Sequence, residues 1–150
     1  MKLAEALQER SDLNRSIEQL KHRLCQNAVT QEGEKPAEDP ARLTKELSAD
    51  IDRLEELIRR INLTNCKTES EGKSLTDLIA SRDCLKIRIS VLKDLASYAS
   101  QTYNRNRPTE IKLVSTVNVE KLQKEIDGLS KELRLIDNTI QQLNWSTELL

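Results

Sequence analysis

Apolar residues recur at alternating steps of three and four along four long segments of the chain, the spacing that gathers side chains on one face of an α-helix. This spacing predicts helices at residues 2–30, 40–67, 75–100 and 119–144. The fourth is the most regular, because leucine or isoleucine fills every step: Leu122, Ile126, Leu129, Leu133, Ile136, Ile140 and Leu143. Such a heptad pattern is typical of helices that pack side by side. We therefore predict an all-α fold in which four long antiparallel helices form a single bundle domain, residues 1–150.

Local signals mark where two of these helices begin and where a different structure intervenes. Asp39 before Pro40 combines an N-cap with a proline at the first helical position, and so marks the start of helix two. Ser74, with Asp77 three residues later, forms a capping-box pattern for helix three. Residues 110–117 are rich in β-branched side chains and are predicted to form a short strand or hairpin between helices three and four.

The third predicted helix carries two apolar stripes instead of one. The first consists of Leu75, Leu78, Arg82, Leu85, Ile89, Leu92, Ala96 and Ala99, and the second of Ala80, Cys84, Ile87, Val91 and Tyr98. The stripes lie on roughly opposite sides, because two residues turn by about 200° on a helix. A helix that is apolar on two sides is buried on two sides. We therefore predict a homo-oligomer that associates through helix three and the strand at 110–117; the alternative places helix three in the middle of its own chain.

Composition and charge narrow the classes of function. Charged residues make up 33% of the chain and aromatic residues 2%, and the net charge is −1. A nucleic-acid-binding protein needs a basic surface to displace counterions from phosphates, but no basic cluster here is longer than Arg59-Arg60. Nucleic acid is therefore not an expected partner.

The cysteines and the lengths of the apolar runs indicate in which cellular compartment the protein is expected. The chain has three cysteines, Cys25, Cys66 and Cys84. Their number is odd and no two of them form a C-x-x-C pair, so the pattern fits neither a disulfide framework nor a zinc site. The N-terminal residues lack the apolar stretch of a signal peptide, and the longest apolar run, Leu78-Ile79-Ala80, is far too short to span a membrane. The sequence therefore predicts a cytoplasmic protein with reduced cysteines and no membrane contact.

No set of residues predicts catalysis, a metal or a cofactor. Glu18 and His22 lie one helical turn apart, but a di-metal site in a bundle needs a second histidine, and the chain has one. Cys25 is close enough to His22 for a thiol–imidazole pair, although an exposed coincidence is the better interpretation. The acidic loop at 32–39 lacks the spacing of an EF-hand and is better explained as a solvated turn. We therefore expect a protein that is not an enzyme.

Polar residues interrupt the apolar stripes near one end of the predicted bundle. The group consists of Arg10, Asn62, Asn65, Arg82, Asp83 and Trp145. One interpretation is a polar layer that fixes the register of the helices, with Arg82 and Asp83 forming pairs across helices. The other is a patch that binds a small ligand or a peptide. The first is the simpler prediction.

Several short strings together resemble a small family of uncharacterised bacterial helical proteins, some of which carry the label septicolysin. These strings are Met1 to Leu7, Asn27-Ala28, Gln31 to Glu34, Glu38-Asp39-Pro40, Arg60 to Asn65, Arg82-Asp83 and Asn144-Trp145. The resemblance covers essentially the whole chain but implies no established activity. The label itself implies a secreted, thiol-activated cytolysin, whereas the chain lacks a tryptophan-rich segment and an amphipathic strand pair that would line a pore. A cytosolic helical-bundle homo-oligomer with a structural or interaction role is thus the primary prediction, and a membrane-active cytolysin the alternative.

Overall fold

The structure is a computed structural model that describes residues 1–102 and 111–150. Within these ranges the chain forms four long helices: α1 (Leu3–Gln26), α2 (Pro40–Lys67), α3 (Leu75–Ala99) and α4 (Val119–Ser146). The all-α prediction is confirmed, and α2 has the predicted bounds. Helix α1 ends four residues earlier than predicted, because the chain turns at Asn27, whose side-chain amide donates to the Arg23 carbonyl.

Both predicted helix starts are confirmed by their hydrogen bonds. The Asp39 carboxylate accepts from the Ala41 main-chain amide at 3.0 Å, and Pro40 occupies the first helical position. At α3 the Ser74 hydroxyl accepts from the Asp77 amide at 3.1 Å, while the Asp77 carboxylate accepts from the Ser74 amide at 3.0 Å. These bonds satisfy main-chain donors that have no partner inside the helix.

Two short strands, β1 (Glu69–Ser70) and β2 (Lys73–Ser74), pair as a hairpin between α2 and α3. Glu71 (φ 51°) and Gly72 (φ 77°) form the turn, and two consecutive positive φ angles are typical of a type I′ hairpin. This hairpin is not the one that the sequence predicted, because the predicted strand or hairpin was placed at residues 110–117, between helices three and four. Residues 111–117 carry no strand, and residue 110 lies outside the described residues. The β-branched content of 111–117 gives only a weak preference, which does not produce a strand without a paired neighbour.

The chain is organised as two compact units, the first of which consists of residues 1–70 and 143–150. In this unit α1 and α2 run antiparallel, as their side-chain contacts show. The Ser16 hydroxyl donates to the Asp50 carboxylate at 2.6 Å, and Arg53 donates to both carboxylate oxygens of Glu9 at 2.7 and 3.0 Å. The buried side chains of the unit are Leu3, Ala6, Leu20, Leu43, Leu57, Ile61, Thr64, Asn144 and Leu149.

The residues after α4 are held by contacts with both ends of the α1–α2 hairpin. The Leu149 amide donates to the Met1 carbonyl at 2.9 Å, and the Leu150 amide donates to the Thr64 hydroxyl at 3.0 Å. The Glu148 carboxylate accepts from Lys2 at 2.6 Å, and the hydrogen bond from Lys2 lowers the pKa of Glu148 below its ordinary value. These contacts bring the two ends of the chain together.

The second unit consists of residues 71–142 and contains α3 and most of α4. Its core cluster is formed by Ile89 and Ala96 of α3 with Leu122 and Ile126 of α4. Four partly buried side chains pack against this cluster: Leu92, Val117, Leu129 and Leu133. Because the C-terminal half of α3 meets the N-terminal half of α4, the two helices are antiparallel here.

Candidate functional site

Helix α3 places its first apolar stripe in the protein interior. Leu75, Leu78, Leu85, Ile89 and Ala96 of that stripe are buried. The first turn of the helix is capped by Ser74. Hydrogen bonds from the Ser74 hydroxyl and amide to the Asp77 carboxylate hold the pKa of Asp77 below its ordinary value. One side of α3 is therefore fully used by the fold.

The opposite side of α3 is apolar and exposed. We name it the outer face, which consists of Ala80, Cys84, Ile87, Val91, Leu95 and Tyr98. The side chains of Ile87, Val91 and Tyr98 are 65%, 59% and 77% exposed. Single exposed apolar residues are ordinary on protein surfaces, but a contiguous row of them along one helix is typical of an interaction site. The outer face includes every residue of the second predicted stripe.

Two shallow grooves run along the outer face. The first has a volume of about 340 Å³ and is lined by Cys84, Ile87, Arg88, Val91 and Leu92. The second, of about 320 Å³, lies at the C-terminal end of α3, where Leu95 and Tyr98 meet Leu113 and Val114. The apolar surface thus continues from α3 onto residues 111–114.

The outer face has edges of opposite charge. At 3.6 residues per turn, Arg88 lies on one edge, whereas Asp83 and Asp94 lie on the other. Asp77 falls on the edge of Arg88, but its carboxylate is engaged in the cap of α3. Asp83 contacts Arg82 through its Oδ1 atom, 2.9 Å from Nε and 2.8 Å from Nη2. The carboxylate of Asp83 is more than half exposed.

Four of the six residues of the predicted polar patch lie in the first unit. Arg10 and Asn65 are half-buried, Asn62 is exposed, and the Trp145 side chain is 63% exposed. Its neighbour Asn144, which was not part of the prediction, is buried. The positions of these residues do not distinguish a layer that fixes helix register from a patch that binds a ligand. Both interpretations therefore remain predictions.

The other two residues of the predicted patch, Arg82 and Asp83, lie on α3 in the second unit. Their ion pair joins adjacent residues of one helix, not residues of different helices as predicted. An arginine side chain is long and flexible enough to reach the carboxylate next to it, so this pair needs no partner on another helix.

A substitution at Asn65 tests the register interpretation. If Asn65 serves only to fix register, Asn65→Leu is expected to leave the melting temperature unchanged or to raise it, because a half-buried amide is replaced by an apolar side chain of similar size. Thermal unfolding followed by circular dichroism measures this. Asn62→Leu, at an exposed position of the same helix, is the control. A large drop specific to Asn65→Leu would contradict a role limited to fixing register.

The thiol and imidazole groups do not form the pairs that were considered from the sequence. Cys25, Cys66 and Cys84 are exposed residues, and no disulfide joins any two of them. The His22 Nε2 atom lies 2.9 Å from Gln26 Nε2, and Glu18 accepts from Lys21 at 3.5 Å. Across residues 1–102 and 111–150, no three His, Cys, Asp or Glu side chains form a group that could hold a metal ion.

Sequence reasoning missed Leu95 and the charged edges of the outer face. Leu95 follows Val91 at a step of four, whereas the stripe was continued from Val91 directly to Tyr98. Arg88 lies between Ile87 and Ile89 and was not among the predicted residues.

Comparison with known proteins relates this fold to a family. A family model described as a family of unknown function, DUF6847, matches residues 10–149. This chain belongs to the DUF6847 family. A crystal structure of a functionally unknown conserved protein from Corynebacterium diphtheriae is similar to it, with a TM-score of 0.92 and 40% sequence identity over 100% of this chain and 99% of that one. A search of curated proteins found no match.

The DUF6847 assignment agrees with the predicted resemblance to an uncharacterised helical family. Neither the description of the family nor that of the Corynebacterium protein mentions septicolysin. Over the described part of this DUF6847 chain, no helix is both long enough and apolar enough to cross a bilayer. The cytolysin alternative gains no support from these comparisons.

Proposed function

We propose that this protein is a homo-oligomeric interaction protein that associates with copies of itself through the outer face of α3. The observation that carries the proposal is the row of exposed apolar side chains opposite the buried stripe of the same helix. Ile87, Val91 and Tyr98 are each more than half exposed in the isolated chain. Burying such side chains against another protein surface is favourable by about 25 cal/mol for each Å² of apolar area.

Residues 111–114 extend the same apolar surface. Ile111 and Val114 are exposed, and Leu113 and Val114 line the groove beside Tyr98. The association proposed here uses these side chains as part of an apolar contact and not as a strand. Residues 111–114 thus still contribute to the proposed oligomer, although the sequence predicted that they would do so as part of a strand.

The three cysteines support a reducing compartment for this role. All three are exposed and none is joined to another by a disulfide, and exposed thiols persist in the reduced state in the cytoplasm. We therefore place the oligomer in the cytoplasm.

Light scattering coupled to size-exclusion chromatography tests the proposal directly. The wild-type protein is expected to elute with a mass that is a multiple of 17.2 kDa. The variant Ile87→Glu/Val91→Glu is expected to elute as a monomer, because association would bury two carboxylates in an apolar contact. Both positions are exposed in the single chain, so the helix content of the variant should match the wild type.

Lys86→Glu provides the control, since Lys86 is exposed on α3 but lies away from the outer face. This variant is expected to keep the wild-type mass. A wild-type mass of 17.2 kDa at all protein concentrations would refute the proposal, as would an oligomer that survives the double substitution.

A further inference from the structure

The proposed association leaves open which way the second copy lies, and the charged edges of the outer face address this question. In an antiparallel pair related by a two-fold axis, each edge of one helix faces the same edge of the other. Arg88 would then lie near Arg88 of the second copy, and Asp83 near Asp94. In a parallel pair each edge faces the opposite edge, so the arginine edge meets the aspartate edge.

The heptad positions of these residues agree with the parallel arrangement. Cys84 and Val91 occupy a positions of the outer face, and Ala80 and Ile87 occupy d positions. Asp83 is then a g residue and Arg88 the e residue of the following heptad. These are the flanking positions that form salt bridges between helices in parallel coiled coils.

We propose that the outer face binds a second copy of this chain in parallel, with Asp83 of each copy paired to Arg88 of the other. This inference rests on the proposed function and adds its geometry. The a and d positions are apolar from Ala80 to Val91, Asp94 occupies the next d position beside the aspartate edge, and Tyr98 occupies the a position after it. Cys84 of one copy faces Cys84 of the other across the apolar seam that these positions form.

The contacts already made by Asp83 are compatible with this pairing. Arg82 contacts the carboxylate of Asp83 through Oδ1 alone, so Oδ2 is available to Arg88 of the second copy. Arg88 itself is exposed and lines the groove beside Cys84, Ile87 and Val91. Both partners of the pair therefore lie at the margin of the apolar seam, where charged groups set orientation more than affinity.

Charge reversal tests the orientation. In a parallel pair, Asp83→Arg and Arg88→Asp singly are each expected to weaken association about tenfold at low salt, because two attractive pairs become repulsive. The double variant Asp83→Arg/Arg88→Asp restores both pairs with exchanged signs and is expected to return within about threefold of the wild-type dissociation constant. Sedimentation equilibrium of the full chain measures all four proteins, and circular dichroism verifies that each is folded.

Disulfide trapping gives a second measurement that does not depend on charge. A Cys25→Ser/Cys66→Ser variant keeps Cys84 alone, and diamide oxidises two thiols to a disulfide while taking up their electrons and protons. Rapid, nearly complete formation of a covalent dimer is expected on a non-reducing gel. A Cys66→Ser/Cys84→Ser variant, which keeps the exposed Cys25, is expected to remain largely uncrosslinked.

The outcomes separate this inference from the function on which it rests. A monomeric wild type refutes the proposed association altogether. An oligomer that Arg88→Asp does not weaken, with no Cys84 disulfide, refutes the parallel arrangement while leaving the association intact. Weakening by each single substitution without recovery in the double variant also counts against the Asp83–Arg88 pair.

Discussion

Replacing Leu57 with alanine is expected to lower the free energy of unfolding by about 2–5 kcal/mol, the range typical for a leucine that is completely buried. The Leu57 side chain is 0% exposed, so the substitution removes its transfer free energy and leaves a cavity among packed neighbours. The cost depends on how far α1 and α2 can relax, and the cross-helix contacts of Ser16 and Glu9 with Asp50 and Arg53 restrict that relaxation. Urea unfolding followed by circular dichroism in the far ultraviolet measures the difference.

Leu63→Ala provides the matched control on the same helix. Leu63 is 40% exposed, so the same change of side chain is expected to cost less than about 1 kcal/mol. Both variants are to be compared with the wild type at one protein concentration, because the proposed association would contribute to the apparent stability. Equal effects at the two positions would show that Leu57 is not the packed residue that the structure describes.

The four helices could be predicted because their apolar residues repeat over many turns. A periodic pattern of this length predicts the same element at each of its positions, and the cap at Asp39 fixed the start of α2 to the residue. The cap at Ser74 did the same for α3. Irregular segments carry no comparable signal. The hairpin at 69–74 depends on one turn, and residues 111–117 have strand-forming side chains but no paired neighbour.

The candidate surface was predictable in part for the same reason. The second stripe of α3 follows from periodicity, and its members lie on the exposed side of the helix in the structure. The charges beside it became informative only after the buried face was known, since a heptad flank is defined by the seam it borders. By contrast, the prediction that Arg82 pairs with a residue of another helix was wrong, because Arg82 pairs with the carboxylate of the adjacent residue, Asp83.

The anchoring of residues 147–150 could not be predicted, because it joins residues from opposite ends of the sequence. Thr64 reads as an ordinary polar residue near the end of α2, yet its side chain is 0% exposed. Its hydroxyl donates to the Arg60 carbonyl at 2.8 Å and accepts from the Leu150 amide at 3.0 Å. Arg60 in turn donates from Nε to the Leu150 main-chain oxygen at 2.7 Å. No local pattern reports such a contact.

Replacing Thr64 with valine is expected to lower the free energy of unfolding by about 0.5–1.5 kcal/mol, the net contribution of a typical intramolecular hydrogen bond, here the part-buried one from the Leu150 amide. Valine preserves the shape and the β-branch of threonine, so the change removes the hydroxyl and little else. The Leu150 amide then loses its acceptor. Amide hydrogen exchange should accelerate locally at Leu150 and Leu149, in addition to the change in the urea midpoint.

Thr44→Val isolates the contribution of burial and of the Leu150 contact. Thr44 lies on the same helix, and its hydroxyl also donates to a carbonyl four residues earlier, Pro40, at 2.7 Å. Thr44 is exposed, so water can replace its hydrogen bond, and the substitution is expected to change the stability by less than about 0.5 kcal/mol. A Thr64→Val variant as stable as Thr44→Val, with unchanged exchange at Leu150, would show that the Thr64 hydroxyl does not hold this end of the chain. The predicted difference arises because the two hydroxyls make the same bond within the helix, while only Thr64 also serves as the acceptor of a residue 86 positions away.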